Sequence, residues 1–374
     1  MRIFINALSA RRGGGKNYVQ YLLDNYPGSF GNEIILVAPD ELSIPIGRNN
    51  IKRLNISQLI YKNPFFRRFW EFFLLPKLLI KMKVDVLFCP GGLFGGRVPR
   101  NCKLVTTFQN MMPFDLEQRV KYPLGYMRFR NWILEKQLLK TMINSDLVIF
   151  ISDYAKSFII KKSKNLISKS VVIPHGVDPI FIRNPNKKLI LPSGFPKEYI
   201  LYISTIEFYK AQIEVIESYA ILKKRNKNIP KMILMGPEYK PYAKLVRKAI
   251  IKNKLQNEVL LKKAIPNKDL PSLYQNALIN IFASMTENCP LILLEALASG
   301  RPLVVSNYQP MPEFGLDAVE YFNPSKPEEL SYLLGNILDN KDLSDKLSYK
   351  ALRQSSHFDW RVSAKKTWAA INSL

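Results

Sequence analysis

Short apolar runs alternate along this chain with longer segments whose apolar positions recur at helical spacing. In the first half the runs are IFINAL, EIILVA, DVLFCP, KLVTTF and DLVIFIS. Between them lie GKNYVQYLLDNY and a long helical stretch from Tyr122 to Asn144. The rhythm repeats further on: YILYIST, KMILMG, EVLLKK, LINIFAS and PLVVS, separated by EVIESYAILKKR, YAKLVRKAIIKN, DLPSLYQNA and LILLEALAS. Such alternation predicts a parallel α/β sheet. Two series in one chain predict two doubly wound, Rossmann-like units, with the break near 180–197, where NPNKK, LPSG and FPKE collect turn-forming residues. The expected domains are 1–182 and 183–357. The closing segment DWRVSAKKTWAAINSL is amphipathic, with Trp360, Val362, Trp368 and Ile371 on its apolar face. A strand–helix unit does not need it, so it is free to pack across the boundary.

Composition agrees with a two-domain chain. At 374 residues there is room for both. With 47% apolar and 11% aromatic residues, the composition argues against disorder. The three cysteines, Cys89, Cys102 and Cys289, are far apart and form no CxxC pair. That argues against a disulfide framework or a zinc site and for a reducing compartment. The start, MRIFINALSA followed by Arg11 and Arg12, reads as a buried first strand rather than a signal peptide. No apolar run is long enough for a spanning helix.

The net charge of +25 changes the picture. The excess sits mainly in residues 1–200; it is either in part compositional, since Lys, Ile and Asn are abundant throughout, or a field that attracts nucleic acid, an anionic membrane surface or phosphorylated substrates. In PFFRRFWEFFLLPKLLIKMKV, residues 64–84, five phenylalanines and Trp70 are interleaved with Arg67, Arg68, Lys77, Lys81 and Lys83. YPLGYMRFRNWILEKQLLK, residues 122–140, has the same character. Both suit a membrane interface, or helices packed on a sheet with basic outer faces.

Several segments could carry chemistry. Gly13, Gly14, Gly15 and Lys16 follow the first strand, either as a structural turn or as an anion site at a helix N-terminus. In TENCPLILLEALASG, residues 286–300, Ala283 and Ser284 close the preceding strand, a helix starts near Pro290 or Leu291, and Gly300 stops it. Glu287 then lies in the loop at the carboxyl end of the strand, where open α/β sheets bind ligands. Glu295 lies about a turn into the helix, and the N–H groups in the stretch from Cys289 to Leu291 face an incoming phosphate. Spacing alone leaves open whether the two glutamates are related. Lys210, beyond YILYIST, can pair with a diphosphate or be one surface cation among many. Gln109 and Asn110, after KLVTTF, can bind sugar hydroxyls or simply form a loop. The two histidines, His175 and His357, exclude a histidine-rich metal site. His175 lies near the domain junction, as a packed side chain or a cleft residue. No DxD triplet occurs, which favours a lysine- and amide-based diphosphate site without metal.

Together these segments resemble glycosyltransferase family 4, the retaining group 1 transferases of the GT-B fold, over nearly the whole chain. Glu287 to Glu295 matches the family's E-x7-E motif, and YISTIEFYK aligns with the stretch that supplies an arginine and a lysine to the donor diphosphate. The resemblance implies two domains facing a cleft, with the C-terminal helix, 358–374, crossing back to the first. It implies that Glu287 and Lys210 are catalytic. Gly14, Gly15, Thr205, Gly236, Ile265, Asn288, Cys289, Pro290, Leu291 and Glu295 would bind the donor, Glu295 through the ribose and Ile265 through the base. Gln109, Asn110 and His175 would meet the sugar or acceptor. Two departures stand out: Thr205 occupies the arginine position, and Gln109 stands where the family often has histidine.

The implied activity is metal-independent transfer, with retention, of a hexose or deoxyhexose from a nucleotide diphosphate sugar to a growing, lipid-linked glycan, as in polysaccharide or lipopolysaccharide biosynthesis. No cofactor and no nucleic acid are expected. The expected location is cytoplasmic, peripheral at an anionic inner membrane face. The alternatives are a nucleotide-sugar epimerase of the same fold and a basic nucleic-acid-binding protein.

Overall fold

A computed structural model of the chain describes residues 1–10, 13–187, 189–226 and 228–374; Arg11 and Arg12, the charges that follow the first apolar run, lie outside them. The chain forms two compact units. The first comprises Met1–Phe114, Pro123–Gly176 and Trp360–Leu374, the second Asp115–Tyr122 and Val177–Asp359.

In the first unit seven strands build one parallel sheet: β1 (Arg2–Asn6), β2 (Glu33–Val37), β3 (Ile51–Arg53), β4 (Val86–Cys89), β5 (Lys103–Phe108), β6 (Leu147–Phe150) and β7 (Ser170–Val172). Their order is β3-β2-β1-β4-β5-β6-β7. Ile3 pairs with Ile34 on one side and Val86 on the other. The inner strands are apolar on both faces because parallel sheets are covered on both faces. In the second unit the strands are β8 (Tyr199–Ile203), β9 (Lys231–Met235), β10 (Val259–Lys262), β11 (Ile279–Phe282), β12 (Leu303–Ser306) and β13 (Glu320–Phe322). These are also parallel, in the order β10-β9-β8-β11-β12-β13. Strand order reverses between β1 and β4 in one sheet and between β8 and β11 in the other. At such switch points adjacent loops diverge and leave a crevice for a ligand.

The C-terminal helix Trp360–Asn372 belongs to the first unit and packs on the helix Gly13–Asp24. Trp360 stacks on Tyr21 at 4.6 Å, and Trp368 donates its indole N–H to the Leu22 carbonyl at 3.0 Å. Val362, expected on this buried face, is exposed; Ala364 and Thr367 fill it with Trp360, Trp368 and Ile371. A two-residue step turns a helical side chain to the far side, so Val362 cannot share a face with Trp360.

The division between the units falls after Gly176, a few residues before the expected boundary. Val177 donates its N–H to Phe358 at 3.0 Å. Arg183 caps the helix Leu291–Ala298, giving its N–H to the Ala298 carbonyl at 2.8 Å and its guanidinium to the Gly300 carbonyl at 3.0 Å. These bonds tie the segment before 183 to the second unit. Tyr122, expected to open a long helix, lies outside it. That helix is Tyr126–Asn144, preceded by Gly125 at φ 131°.

Residues 64–81 form a helical run: Pro64–Phe69, a π-helical stretch Trp70–Leu74, and Leu75–Lys81. Trp70, Leu75 and Leu79 enter the core beside Phe4 and Leu87. Phe65, Phe66, Phe69, Phe73, Leu74 and Ile80 remain exposed. No helix among the described residues is long and apolar enough to cross a membrane.

Candidate active site

The switch point of the second sheet places the loops after β8 and β11 side by side. Lys210 ends a short 3-10 turn, Phe208–Lys210, in the first of these loops. Its carbonyl accepts the Tyr202 hydroxyl at 2.6 Å, which anchors the turn to the strand before it. Lys210 is only 4% exposed, so it is not one of the surface cations. Its ammonium bonds Glu287 in the second loop and sits over the rings of Tyr209 and Phe282 at 4.9 and 5.1 Å. Burial works against the charge, but Glu287, Tyr209 and Glu207 outweigh it and hold the lysine pKa above its ordinary value.

Glu287 accepts Lys210 and the Ser284 hydroxyl, the latter at 2.7 Å, on the same oxygen, Oε1. Its Oε2 has no partner among the described residues. Asn288 and Cys289 are buried, and the helix Leu291–Ala298 starts after Pro290 with no side-chain cap on its first N–H groups. That leaves backbone donors for an anion. Gly300 stops the helix at φ +58°. Inside the helix, half-buried Glu295 accepts the Tyr274 hydroxyl at 3.4 Å. Burial pushes its carboxyl up to about 8; the Tyr274 bond pulls down and the charge of Asp178 pushes up. A buried cation, uncapped amides and two carboxylates on one loop–helix suit a ligand with a diphosphate and several hydroxyls.

Sequence reasoning missed the segment Asp115–Tyr122, which packs with the second unit. Asp115 accepts the Thr286 hydroxyl on Oδ2 and caps the turn Leu116–Arg119 through Oδ1, bonded by Gln118 N–H at 3.0 Å. Lys121 reaches the Met285 sulfur at 3.2 Å. Tyr122 hydrogen-bonds Glu207 and wedges its ring against Phe208 and Tyr239 at 5.4 and 5.8 Å. The only local signal was an aspartate three residues before a glutamine, the spacing of a helix cap.

The remaining expected residues divide. Thr205 accepts Gln212 on its carbonyl at 2.8 Å and follows β8. Gly236, at φ +151°, lets the turn after β9 close on Ser204; a Cβ there would meet the Ser204 carbonyl at 2.0 Å. That requirement is structural. Ile265 is half-buried in the loop after β10. In the first unit Gly14 and Gly15 form the opening turn of the helix Gly13–Asp24 rather than a loop before it. A side chain at Gly15 would meet Gln109 Oε1 at 3.2 Å, so these two positions come together. Gln109 also donates to the Pro90 carbonyl at 2.6 Å. Exposed Asn110 turns back to accept Met112 N–H at 3.1 Å.

His175 is packed between Tyr18 and Trp360, at 4.7 and 5.1 Å, and 3% exposed. Burial lowers its pKa to about 3, so it stays neutral and serves the core. Among the described residues no three of His, Cys, Asp or Glu gather where they could hold a metal ion.

Comparison with known proteins identifies the family and the fold. Residues 187–354 match the family described as glycosyl transferases group 1, and residues 12–181 match glycosyltransferase family 4. The O-antigen chain mannosyltransferase B of Escherichia coli is 24% identical over 277 residues, covering 73% of this chain and 71% of that protein. The glycosyltransferase of Rickettsia africae superposes with a TM-score of 0.69 at 19% identity, covering 98% of this chain and 96% of the other. Anabaena HepE in complex with UDP gives 0.71 at 15%, covering all of both chains. With two parallel Rossmann-like units and both family matches along its length, the chain belongs to the group 1 glycosyltransferases of family 4, in the GT-B fold.

Proposed function

We propose that this chain moves a hexosyl or deoxyhexosyl group from a nucleotide diphosphate sugar to a growing, lipid-linked glycan of a surface polysaccharide, with retention at the anomeric carbon. The observation that carries the reading is the buried Lys210–Glu287 pair at the switch point of the second sheet. An arriving diphosphate offers Lys210 a more highly charged partner than one carboxylate. The exchange frees Glu287 for the sugar hydroxyls. As the bond from the anomeric carbon to the diphosphate breaks, negative charge grows on the leaving oxygens. Lys210 and the first amides of the helix Leu291–Ala298 stabilise it there. The acceptor oxygen bonds the anomeric carbon on the face the diphosphate leaves, and the acceptor proton passes to the departing diphosphate. Glu295 holds the nucleotide ribose. In this reading the charge is met by lysine and amides, so no divalent ion is needed.

The polysaccharide acceptor is suggested by the O-antigen relative, and mannose is the first sugar to test. A lipid-linked acceptor fits the exposed aromatic and basic face of residues 64–81 and of the helix Tyr126–Asn144, where Tyr126, Phe129 and Trp132 are exposed. The deciding experiment is a thermal-shift screen against UDP, GDP, dTDP and ADP sugars, followed by transfer assays in EDTA. One donor should raise the midpoint, and transfer should survive chelation with the anomeric configuration kept. Glu287→Ala should remain folded and lose nearly all transfer; near-normal turnover would sink the site.

A further inference from the structure

We propose that Asp115 and Tyr122 are positioning residues of the donor site, the two ends of a clamp on the loops that carry Glu287 and Lys210. The inference rests on reading that pair as the diphosphate site.

The two loops leave different strands, β8 and β11, and their tips are joined by the Lys210–Glu287 bond and by the hydrogen bond from Met285 N–H to the Tyr209 carbonyl at 2.7 Å. Loops at the end of a sheet are its most mobile parts. Yet charge stabilisation depends on donors placed to a fraction of an ångström. The segment Asp115–Tyr122 spans both loops. At one end Asp115 bonds Thr286, the neighbour of Glu287, and Lys121 reaches Met285. At the other, Tyr122 bonds Glu207 and packs on Phe208, both just before Lys210 on the same loop.

Between its ends the segment is stiff. Asp115 caps Leu116–Arg119, Val120 N–H closes on the Leu116 carbonyl at 3.1 Å, and Gln118 and Tyr122 are buried. One capped helical turn therefore sets the separation of the two anchors. Asp115 does two jobs with two oxygens: Oδ1 holds the turn, Oδ2 holds Thr286. Neither anchor residue is one of the expected donor contacts; each acts through a neighbour.

The test uses the full chain and titration calorimetry with UDP, GDP, ADP and dTDP. Thr286→Val removes the hydroxyl and leaves the cap intact, so it should keep the unfolding midpoint while weakening binding of the preferred nucleotide about tenfold. Asp115→Ala should weaken binding at least as much and also lower the midpoint through the lost cap, and in binding the double variant should lose no more than the worse single one. Asp115→Asn should restore most of the binding, because its oxygen can keep the cap while its amide donates to Thr286. Tyr122→Phe should weaken binding from the other end.

If Lys210→Ala abolishes binding but Thr286→Val, Asp115→Ala and Tyr122→Phe leave it unchanged, the clamp is overturned and the donor site stands. If the unaltered protein binds none of the four nucleotides, the donor-site reading falls and the clamp falls with it.

Discussion

Lys210 and Glu287 are 77 residues apart in sequence and meet as an ion pair inside the second unit, the lysine side chain 5% exposed and the glutamate 18%. A buried pair is costly to break from one side, because the survivor keeps a charge without its partner. Lys210→Met should therefore destabilise the chain by about 3 kcal/mol, at the low end of the range since Glu287 keeps some contact with water. Adding Glu287→Gln should recover much of the loss. Urea unfolding of the single and double variants measures both terms; additive losses would show that the pair is not coupled.

Glu295 makes stability depend on pH in a stated direction. Its carboxyl ordinarily titrates at 4.5, and in the folded chain at about 8. Below 4.5 both states hold the proton and the group contributes nothing. Between 4.5 and 8 the unfolded chain releases it while the folded chain keeps it, so stability falls as pH rises and the loss is complete above 8. Glu295→Gln removes the titration. Its advantage over the unaltered chain in urea midpoint should grow from pH 5 to pH 8 and then level off. A constant difference across that range would refute the assignment. If ribose hydroxyls bond the ionised carboxylate, nucleotide binding near pH 7 should also release a proton, seen as a buffer-dependent heat.

Two glycines at positive φ separate close approach from backbone preference. Gly125, at φ +131°, has open space around it, and Gly236, at φ +151°, has the Ser204 carbonyl where a Cβ would sit. Gly125→Ala should cost only the conformational strain, roughly 1–3 kcal/mol. Gly236→Ala adds a backbone clash and should cost at least about 4 kcal/mol. Equal melting temperatures for the two would contradict the packing described here.

The exposed aromatic face around residues 64–81 predicts binding to anionic vesicles. Arg67 is a poor residue to test, because it donates to the Leu8 carbonyl at 2.9 Å and its loss would disturb the loop after β1. Phe65, Phe69 and Phe73, with Lys77 and Lys81, are exposed and suit the purpose. Replacing the three phenylalanines with serine should weaken flotation with phosphatidylglycerol vesicles at all salt concentrations. Replacing the two lysines should weaken it mainly at low salt, where charges are least screened. Unchanged flotation in both variants would remove the membrane from the proposal.

Much of this architecture was legible in the amino-acid sequence. The alternation of apolar runs and amphipathic stretches marked the two parallel α/β units. Pro290 and Gly300 bracketed the helix that carries Glu295. These signals are local: a strand's burial, a helix start and a helix stop each depend on a few neighbouring residues. That is why the amino-acid pattern alone puts the stretch from Glu287 to Glu295 at a strand end.

What the sequence could not show was which loops share a sheet end. Lys210 reads as one of 55 basic residues. It becomes a buried partner of Glu287 only because β8 and β11 are neighbours at the switch point, and strand order is a property of the assembled sheet. Asp115 is 171 residues from Thr286 and looks like an ordinary cap in its own neighbourhood. Asn110 and His175, plausible ligand contacts by position, are turned to their own loop and sealed among aromatic rings. Chain-local patterns decide which faces are apolar. Only tertiary packing decides which polar groups end up opposite one another, because that depends on long-range strand pairing rather than on spacing along the chain.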